Sequence, residues 1–214
     1  MFLFDFDGTL VDSMPTFSKV MLDIVRDNNI DVDEQEVLRT ITPLGMKGAV
    51  LYLISLGVIG SVEEILKLIT KDAYNAYATS IPAKKNVEST LKQLKSAGHS
   101  LNVLTASPHI TLDVCLKRLG LFDLFDNVWS CEDFNTNKAN PEIYKMAADV
   151  LKCNVQDVMF LDDNFHALES AKKAGCKTCG VYDLTSEEKT DDIKALADFY
   201  VSDFKELLDI VECN

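Results

Sequence analysis

The stretch FLFDFDGTLVDS, residues 2–13, decides the fold of this chain. It begins as an apolar run of strand-favouring residues and acquires two carboxylates, Asp5 and Asp7, before Gly8 allows the backbone to leave the extended conformation. We therefore predict a buried strand that ends in a polar site. Side chains two apart on a strand point to one face, so Asp5 and Asp7 should start out as neighbours unless the turn at Gly8 re-aims the second.

Two carboxylates held close together repel each other unless a cation or a shared proton separates them. A hard divalent cation suits an all-oxygen site, and Mg²⁺ usually binds one or two carboxylates together with substrate phosphate. The alternative is that Asp5 and Asp7 only form a turn after an ordinary strand, since Asp is common in turns. An Asp-x-Asp pair taken alone favours neither interpretation.

The rest of the chain predicts an α/β fold with a helical insertion. Residues 14–82 show helical patterns without an intervening strand, with Ser13 as a helix cap and the capping-box sequence SVEE at residues 61–64. From residue 86 onward apolar strands alternate with helices, which indicates a Rossmann-like, mostly parallel sheet with helices on both faces. The predicted α/β catalytic core is therefore residues 1–13 and 83–214, and the predicted helical cap is residues 14–82.

Polar residues gather where the apolar strands stop. In sheets of this kind ligands bind at the carboxyl ends of the strands, close to the point where the strand order reverses. We therefore expect the polar residues at several strand ends to meet at one edge of the sheet. These residues are Asp5, Asp7, Thr105, Ser107, Asp162 and Asp163, with Lys138 in a loop that follows another strand.

Composition and charge narrow the classes of function. The 214 residues are 47% hydrophobic and 26% charged, which is typical of a soluble globular protein. The formal net charge of −13 argues against nucleic acid and anionic membranes as partners, although local cations can still hold a phosphate group. We find no pattern of a secretory signal or of a membrane span, so the expected location is cytoplasmic. The sequence does not indicate an oligomeric state.

The string DFDGTLVDS at residues 5–13 resembles the first motif of the haloacid dehalogenase superfamily, whose members are mostly magnesium-dependent phosphatases and phosphomutases. Thr105 resembles the second motif of that superfamily, Lys138 the third, and the pair Asp162 and Asp163 the fourth. The four matches follow in the required order and span nearly the whole chain. The helical insertion is similar to the small cap of the branch that contains phosphoglycolate phosphatases and β-phosphoglucomutases.

The resemblance implies a nucleophile, an acid and base, and a metal site. Asp5 would attack phosphorus and form an aspartyl-phosphate, and Asp7 would be the general acid and base. Mg²⁺ would be held by Asp5, by the backbone carbonyl of Asp7 and by Asp163. Many members have another Asp where Ala167 stands here, so Asp162 would be the second metal-site acid, acting on metal-bound water.

Four residues are implied in binding the substrate, a small-molecule phosphate ester. Thr105 and the backbone amide of Ala106 would donate hydrogen bonds to phosphate oxygens, and Lys138 would offset the negative charge gathered there. Lys47, at the head of a predicted cap helix, is the candidate for reading the rest of the substrate. A solvated lysine at a helix start is the alternative for Lys47.

Three functions remain open, and a magnesium-dependent phosphatase acting on a small phosphorylated metabolite is the first. Asp7 favours it, because the leaving alkoxide of a phosphate ester needs a proton. The second is a sugar-phosphate mutase of the β-phosphoglucomutase kind. Such mutases often carry a His where Phe17 stands, which favours the phosphatase. The third is a non-catalytic binding module on the same fold, and it is disfavoured because the chain keeps five key motif residues: Asp5, Asp7, Thr105, Lys138 and Asp163.

Overall fold

The computed structural model describes residues 1–41 and 44–212, and it divides the chain into two compact units. One unit joins Met1–Asp12 to the residues from Ile81 onward, and the other is Ser13–Ser80. We refer to them as the α/β unit and the helical unit. Among the described residues, no helix has both the length and the apolar character needed to cross a bilayer.

The helical unit contains four helices in its described part, α1 (Met14–Asp27), α2 (Glu34–Ile41), α3 (Gly45–Ser55) and α4 (Val62–Thr79). Their apolar faces form a separate core, which includes Ile24, Val50, Leu53 and Ile69. Burial of these faces, more than helix propensity, stabilises helices of this length.

The two predicted helix caps in the helical unit have different outcomes. The capping box at α4 is confirmed: Ser61 Oγ accepts from the backbone N–H of Glu64, and Glu64 Oε2 accepts from the backbone N–H of Ser61. The prediction for Ser13 is wrong, because this residue makes no side-chain cap bond at the start of α1. Its backbone already lies in the helical region, with φ −89° and ψ −23°. A capping side chain normally extends from a residue in the β region.

The α/β unit is built on one parallel sheet of six strands among the described residues. In chain order the strands are β1 (Phe2–Phe4), β2 (Leu101–Thr105), β3 (Asn127–Ser130), β4 (Met159–Asp162), β5 (Lys177–Val181) and β6 (Phe199–Val201). Their spatial order is β3-β2-β1-β4-β5-β6, so the order reverses where β1 meets β4. This doubly wound arrangement confirms the predicted Rossmann-like fold and places the expected ligand site beyond the end of β1.

Helices cover both faces of the sheet, and the alternation of side chains in β1 shows how. Leu3 belongs to a core with Tyr144 and Leu168, whereas Phe4 contacts Phe125 and Phe204 on the opposite face. Alternate side chains of a strand point to opposite faces, and β1, which is buried on both, is apolar until it ends. The covering helices are α5 (Val87–Ser96), α6 (His109–Arg118), α7 (Glu142–Leu151), α8 (Phe165–Ala174), α9 (Thr190–Leu196) and α10 (Glu206–Glu212).

Candidate active site

Three neighbouring strands of the sheet end at the same edge. β1 pairs in parallel with β2 on one side and with β4 on the other. Thr105 is the last residue of β2 and Asp162 the last of β4, and Asp5 follows β1 directly. The backbone N–H of Asp5 donates to the carbonyl of Leu161 at 2.8 Å, which extends the pairing of β1 with β4 by one residue. Polar side chains far apart in sequence therefore emerge side by side.

Three carboxylates converge at this edge, those of Asp5, Asp162 and Asp163. Each offers an oxygen that lies within 4.8 Å of an oxygen of the other two. All three residues are buried. Carboxylates brought this close and shielded from water destabilise one another's charged forms unless cations compensate them. The cluster consists of oxygen donors alone, which is the donor set that hard divalent cations prefer.

One lysine side chain joins this cluster. Lys138 Nζ lies 2.7 Å from Asp5 Oδ1 and 2.7 Å from Asp162 Oδ2. The hydroxyl of Tyr144 donates to the backbone carbonyl of Lys138 at 3.0 Å, which ties the lysine loop to α7. Burial lowers the pKa of Lys138, but Asp162 and Asp5 raise it more, so the net pKa lies well above its usual value. The side chain is therefore a permanent positive charge.

A single lysine does not compensate three buried carboxylates. Burial raises the pKa of Asp162 to about 7, against the lowering effect of Lys138 and with a further raising effect of Asp5. The pKa of Asp163 lies well above its usual value, because of burial first and then because of Asp162, Asp5 and Asp183. Protons or a second cation must therefore supply positive charge at this edge. The residues present fit a divalent cation such as Mg²⁺.

A glycine turn after β1 packs directly against Asp163. Gly8 has φ +76°, a conformation that residues with a side chain rarely adopt. A Cβ atom at Gly8 would lie 2.7 Å from Cγ of Asp163, so only glycine leaves room for this carboxyl group. Thr9 Oγ1 donates to Asp163 Oδ1 at 3.3 Å. The turn thus forms one wall of the carboxylate cluster.

Asp7 meets the loop that follows β2. Ser107 Oγ donates a short hydrogen bond to Asp7 Oδ2, and the backbone N–H of Ser107 donates to Thr105 Oγ1 at 3.1 Å. Thr105 is buried, and Ala106 is exposed at the tip of the same loop. The side chains of Asp7 and Thr105 are therefore linked through one serine.

The predicted site residues divide between the two units. Asp5, Asp162, Asp163 and Lys138 form one cluster of the α/β unit. Asp7, Thr105 and Ala106 lie in the same unit, at the ends of β1 and β2. Lys47 lies on α3 of the helical unit with an exposed side chain, and its role stays a prediction.

Three residues at this edge were not among the predicted site residues, whereas Ser107 was expected there with the other strand-end residues. Thr9 lies within the first motif. Tyr144 and Lys84 carry no local signal, since each acts through backbone carbonyls that only folding brings near. Lys84 Nζ donates to the carbonyl of Gly8 at 2.6 Å.

The part of the chain that carries these site residues matches known proteins. Residues 2–181 match the family of haloacid dehalogenase-like hydrolases. A pyrophosphatase PpaX of Bacillus velezensis is 27% identical over 180 residues, which are 84% of this chain and 81% of that protein. A phosphoglycolate phosphatase of Psychrobacter arcticus is 26% identical over 224 aligned positions, which cover 93% of this chain and 94% of that protein.

Solved structures show the same fold. The crystal structure of a β-phosphoglucomutase candidate from Thermotoga maritima aligns with a TM-score of 0.85 at 23% identity. The alignment covers 99% of this chain and 97% of that one. The six-stranded parallel sheet and its helical covering are therefore a known architecture.

Proposed function

We propose, since the chain belongs to the haloacid dehalogenase-like hydrolase family, that it is a magnesium-dependent phosphatase that hydrolyses the phosphate monoester of a small metabolite through an aspartyl-phosphate at Asp5. One observation carries the proposal. The carboxylate of Asp5 lies among two further buried carboxylates and one lysine at the carboxyl edge of the sheet. Phosphoryl transfer depends mainly on positioning and on neutralising charge, and this group of residues supplies both.

Asp5 is the proposed nucleophile. Its oxygen attacks phosphorus in line with the ester oxygen, so that a bond from Asp5 to phosphorus forms as the bond to the leaving alkoxide breaks. Lys138 Nζ, 2.7 Å from Asp5 Oδ1, holds the carboxylate in place and offsets the negative charge of the phosphate. Water then attacks phosphorus, the acyl-phosphate bond breaks, and inorganic phosphate and the free carboxylate of Asp5 result.

Asp7 is the proposed general acid and base. It gives a proton to the leaving alkoxide in the first step and takes one from the attacking water in the second, and a positioned group of this kind contributes roughly 10²- to 10⁴-fold. The hydrogen bond from Ser107 Oγ fixes one oxygen of the Asp7 carboxylate. The same loop would present Thr105 and the amide of Ala106 to phosphate oxygens.

Asp5, Asp162, Asp163 and the backbone carbonyl of Asp7 are the proposed holders of Mg²⁺. The excess of negative charge at this edge supports the assignment. When bound, the cation would draw charge from the phosphate oxygens and reduce the repulsion between phosphate and carboxylates. Asp162 already accepts from Lys138 and from the backbone N–H of Asn164, which favours a contact through water over direct coordination.

Residues 14–82 are the proposed cap domain, which would select the substrate. Lys47 is the candidate cap residue for contact with the substrate. A sugar-phosphate mutase remains the second candidate, because one of the similar structures bears that name. In a mutase the aspartyl-phosphate returns its phosphoryl group to a sugar, whereas in a phosphatase water receives it.

A panel of phosphate esters assayed with Mg²⁺ tests the proposal. Release of inorganic phosphate supports the phosphatase, rearrangement of a sugar phosphate supports the mutase, and silence in both assays rejects both enzymes.

The variant Asp5→Asn tests the covalent mechanism. We expect it to lose turnover by at least about 10³-fold, since its amide is not a nucleophile, and to unfold at a temperature close to that of the wild type. Chelation of the metal should abolish turnover of the wild type reversibly. Ser89→Ala, on the exposed face of α5, is the matched control and should turn over like the wild type. Wild-type rates in Asp5→Asn would exclude an aspartyl-phosphate at this residue.

A further inference from the structure

Lys84 lies beside the carboxylate cluster but contacts none of its three members. Its side chain is 19% exposed, and its Nζ donates to the backbone carbonyls of Gly8 and Tyr182 at 2.6 Å each and to Asp183 Oδ2 at 2.9 Å. An ammonium group has three N–H donors, and here all three are used. These three hydrogen bonds together fix the position of the Lys84 ammonium nitrogen.

Two of the three acceptors of Lys84 are themselves held in place. Asp183 is buried, and its other oxygen, Oδ1, accepts from the backbone N–H of Thr185 at 2.9 Å and from its hydroxyl at 2.6 Å. Tyr182 follows β5, and its backbone N–H donates to Val201 of β6 at 2.9 Å. Lys84 therefore connects the turn at Gly8 to a rigid part of the sheet.

The turn at Gly8 determines the space available to Asp163. The position of a Cβ at Gly8 lies 2.7 Å from Oδ1 and 2.8 Å from Oδ2 of Asp163, so the glycine backbone covers the carboxyl group directly. Lys84 holds this turn twice, because its own backbone N–H also donates to the carbonyl of Leu10 at 2.9 Å. Displacement of the Gly8 carbonyl would move the wall against which Asp163 is oriented.

We propose that Lys84 is a positioning residue for the divalent cation site, which holds the Gly8 turn so that the carboxylate of Asp163 keeps the orientation needed to bind the metal. The inference rests on the proposed function, because it assumes that Asp163 binds a divalent cation. Residues that orient metal ligands from outside contribute to metal affinity without touching the metal.

An alternative role for Lys84, as a positive charge alone, predicts the opposite effect on cation binding. If the lysine acted only as a positive charge near the carboxylates, its removal would strengthen cation binding, because the site would become more negative. If it positions the turn, its removal weakens cation binding in spite of that change in charge. The sign of the effect therefore distinguishes the two roles.

The test is a titration with Mn²⁺ followed by electron paramagnetic resonance, on the full chain without substrate. Lys84→Met should weaken Mn²⁺ binding by about 10-fold or more, the range found for residues that orient metal ligands. The double variant Lys84→Met with Asp183→Asn removes the ion pair without leaving a buried unpaired carboxylate, and it should show the same loss. Lys85→Met is the matched control: Lys85 is 83% exposed and pairs with Asp203 at 3.4 Å, so Mn²⁺ binding should stay within about 2-fold of the wild type.

Each outcome decides between the roles. Unchanged or tighter Mn²⁺ binding in Lys84→Met and in the double variant overturns the proposal, and so does the failure of both to fold, since the ion pair would then serve folding alone. Absence of Mn²⁺ binding in the wild type instead rejects the cation site of the proposed function. Thermal unfolding in a chelator, measured for all variants, separates a loss of affinity from a loss of fold.

Discussion

The two edges of the central sheet each carry a lysine bound to aspartate, in different surroundings. At the carboxyl edge the side chain of Lys138 is 14% exposed and that of its partner Asp162 is fully buried. At the amino edge Lys95 pairs with Asp126, and their side chains are 34% and 41% exposed. If one partner of the Lys95–Asp126 pair is removed, water can solvate the other. The carboxylate of Asp162 is buried and would have no such replacement.

This difference shows where the fold tolerates buried charge. An exposed ion pair contributes little to stability, and a buried carboxylate without a partner is costly. Asp5, Asp162 and Asp163 form a cluster of three buried carboxylates that contacts one lysine, Lys138, an arrangement that opposes the stability of the chain without metal. Groups of this kind, with pKa values displaced by burial and by one another, are typical of functional sites. The amino edge shows the same residue types where both side chains are partly exposed to water.

The largest effect is expected for removal of the buried lysine. Lys138→Met leaves Asp5 and Asp162 without their shared cation, so the free energy of unfolding in a chelator should fall by about 3–5 kcal/mol. Mg²⁺ should restore part of the loss, because it supplies positive charge to the same carboxylates. Chemical denaturation with and without Mg²⁺ measures both quantities. A loss below about 1 kcal/mol would place this pair in the same class as exposed pairs and remove the contrast.

The second prediction concerns pH. Burial raises the pKa of Asp162 to about 7 from 3.8, and that of Asp163 also rises. These groups hold protons more tightly in the folded than in the unfolded chain, so their contribution to stability without metal is greatest at low pH. It is lost as pH rises from the usual aspartate value through about 7.

Cation binding should depend on pH in the opposite direction. Below the raised pKa values Mg²⁺ must displace protons, so its affinity should fall by about tenfold per pH unit for each proton displaced. Calorimetric titration with Mg²⁺ between about pH 5.5 and about pH 8 measures this slope. An affinity independent of pH would mean that the carboxylates are ionised before the metal arrives.

The smallest effect is expected at the amino edge. Lys95→Met removes the partner of Asp126, but water reaches both side chains, so the free energy of unfolding should change by less than about 1 kcal/mol. Added salt should leave even less of the difference, because it screens exposed charges. Denaturation under the conditions used for Lys138→Met gives the direct comparison. A change as large as that of the buried pair would show that exposure does not set the energy of these contacts.

Much of the fold was accessible from local patterns. The alternation of strands and helices from residue 86 onward and the capping box at Ser61 follow from hydrophobic periodicity and from residue types at element ends, which act over a few residues, although α9 (Thr190–Leu196) was not predicted. The prediction for Ser13 failed because the local sequence does not determine the backbone conformation at that residue. A serine before a helix normally caps it from an extended backbone, and the backbone of Ser13 is helical.

For the candidate site, the sequence indicated the types of residue but not most of their contacts. Asp5, Lys138, Asp162 and Asp163 could be chosen because each follows an apolar strand or lies in a loop after one, within a family pattern. The acceptors of the Lys84 ammonium could not, because they lie 76 to 99 residues away along the chain.

The sequence alone determines the alternation of strands and helices and the residue types at their ends, since the period of apolar residues and the position of each carboxylate are properties of short segments. The proton affinity of Asp162, the sharing of Lys138 between two aspartates and the hold of Lys84 on Gly8 belong to the folded chain. They depend on burial and on distances between segments, and packing alone sets both.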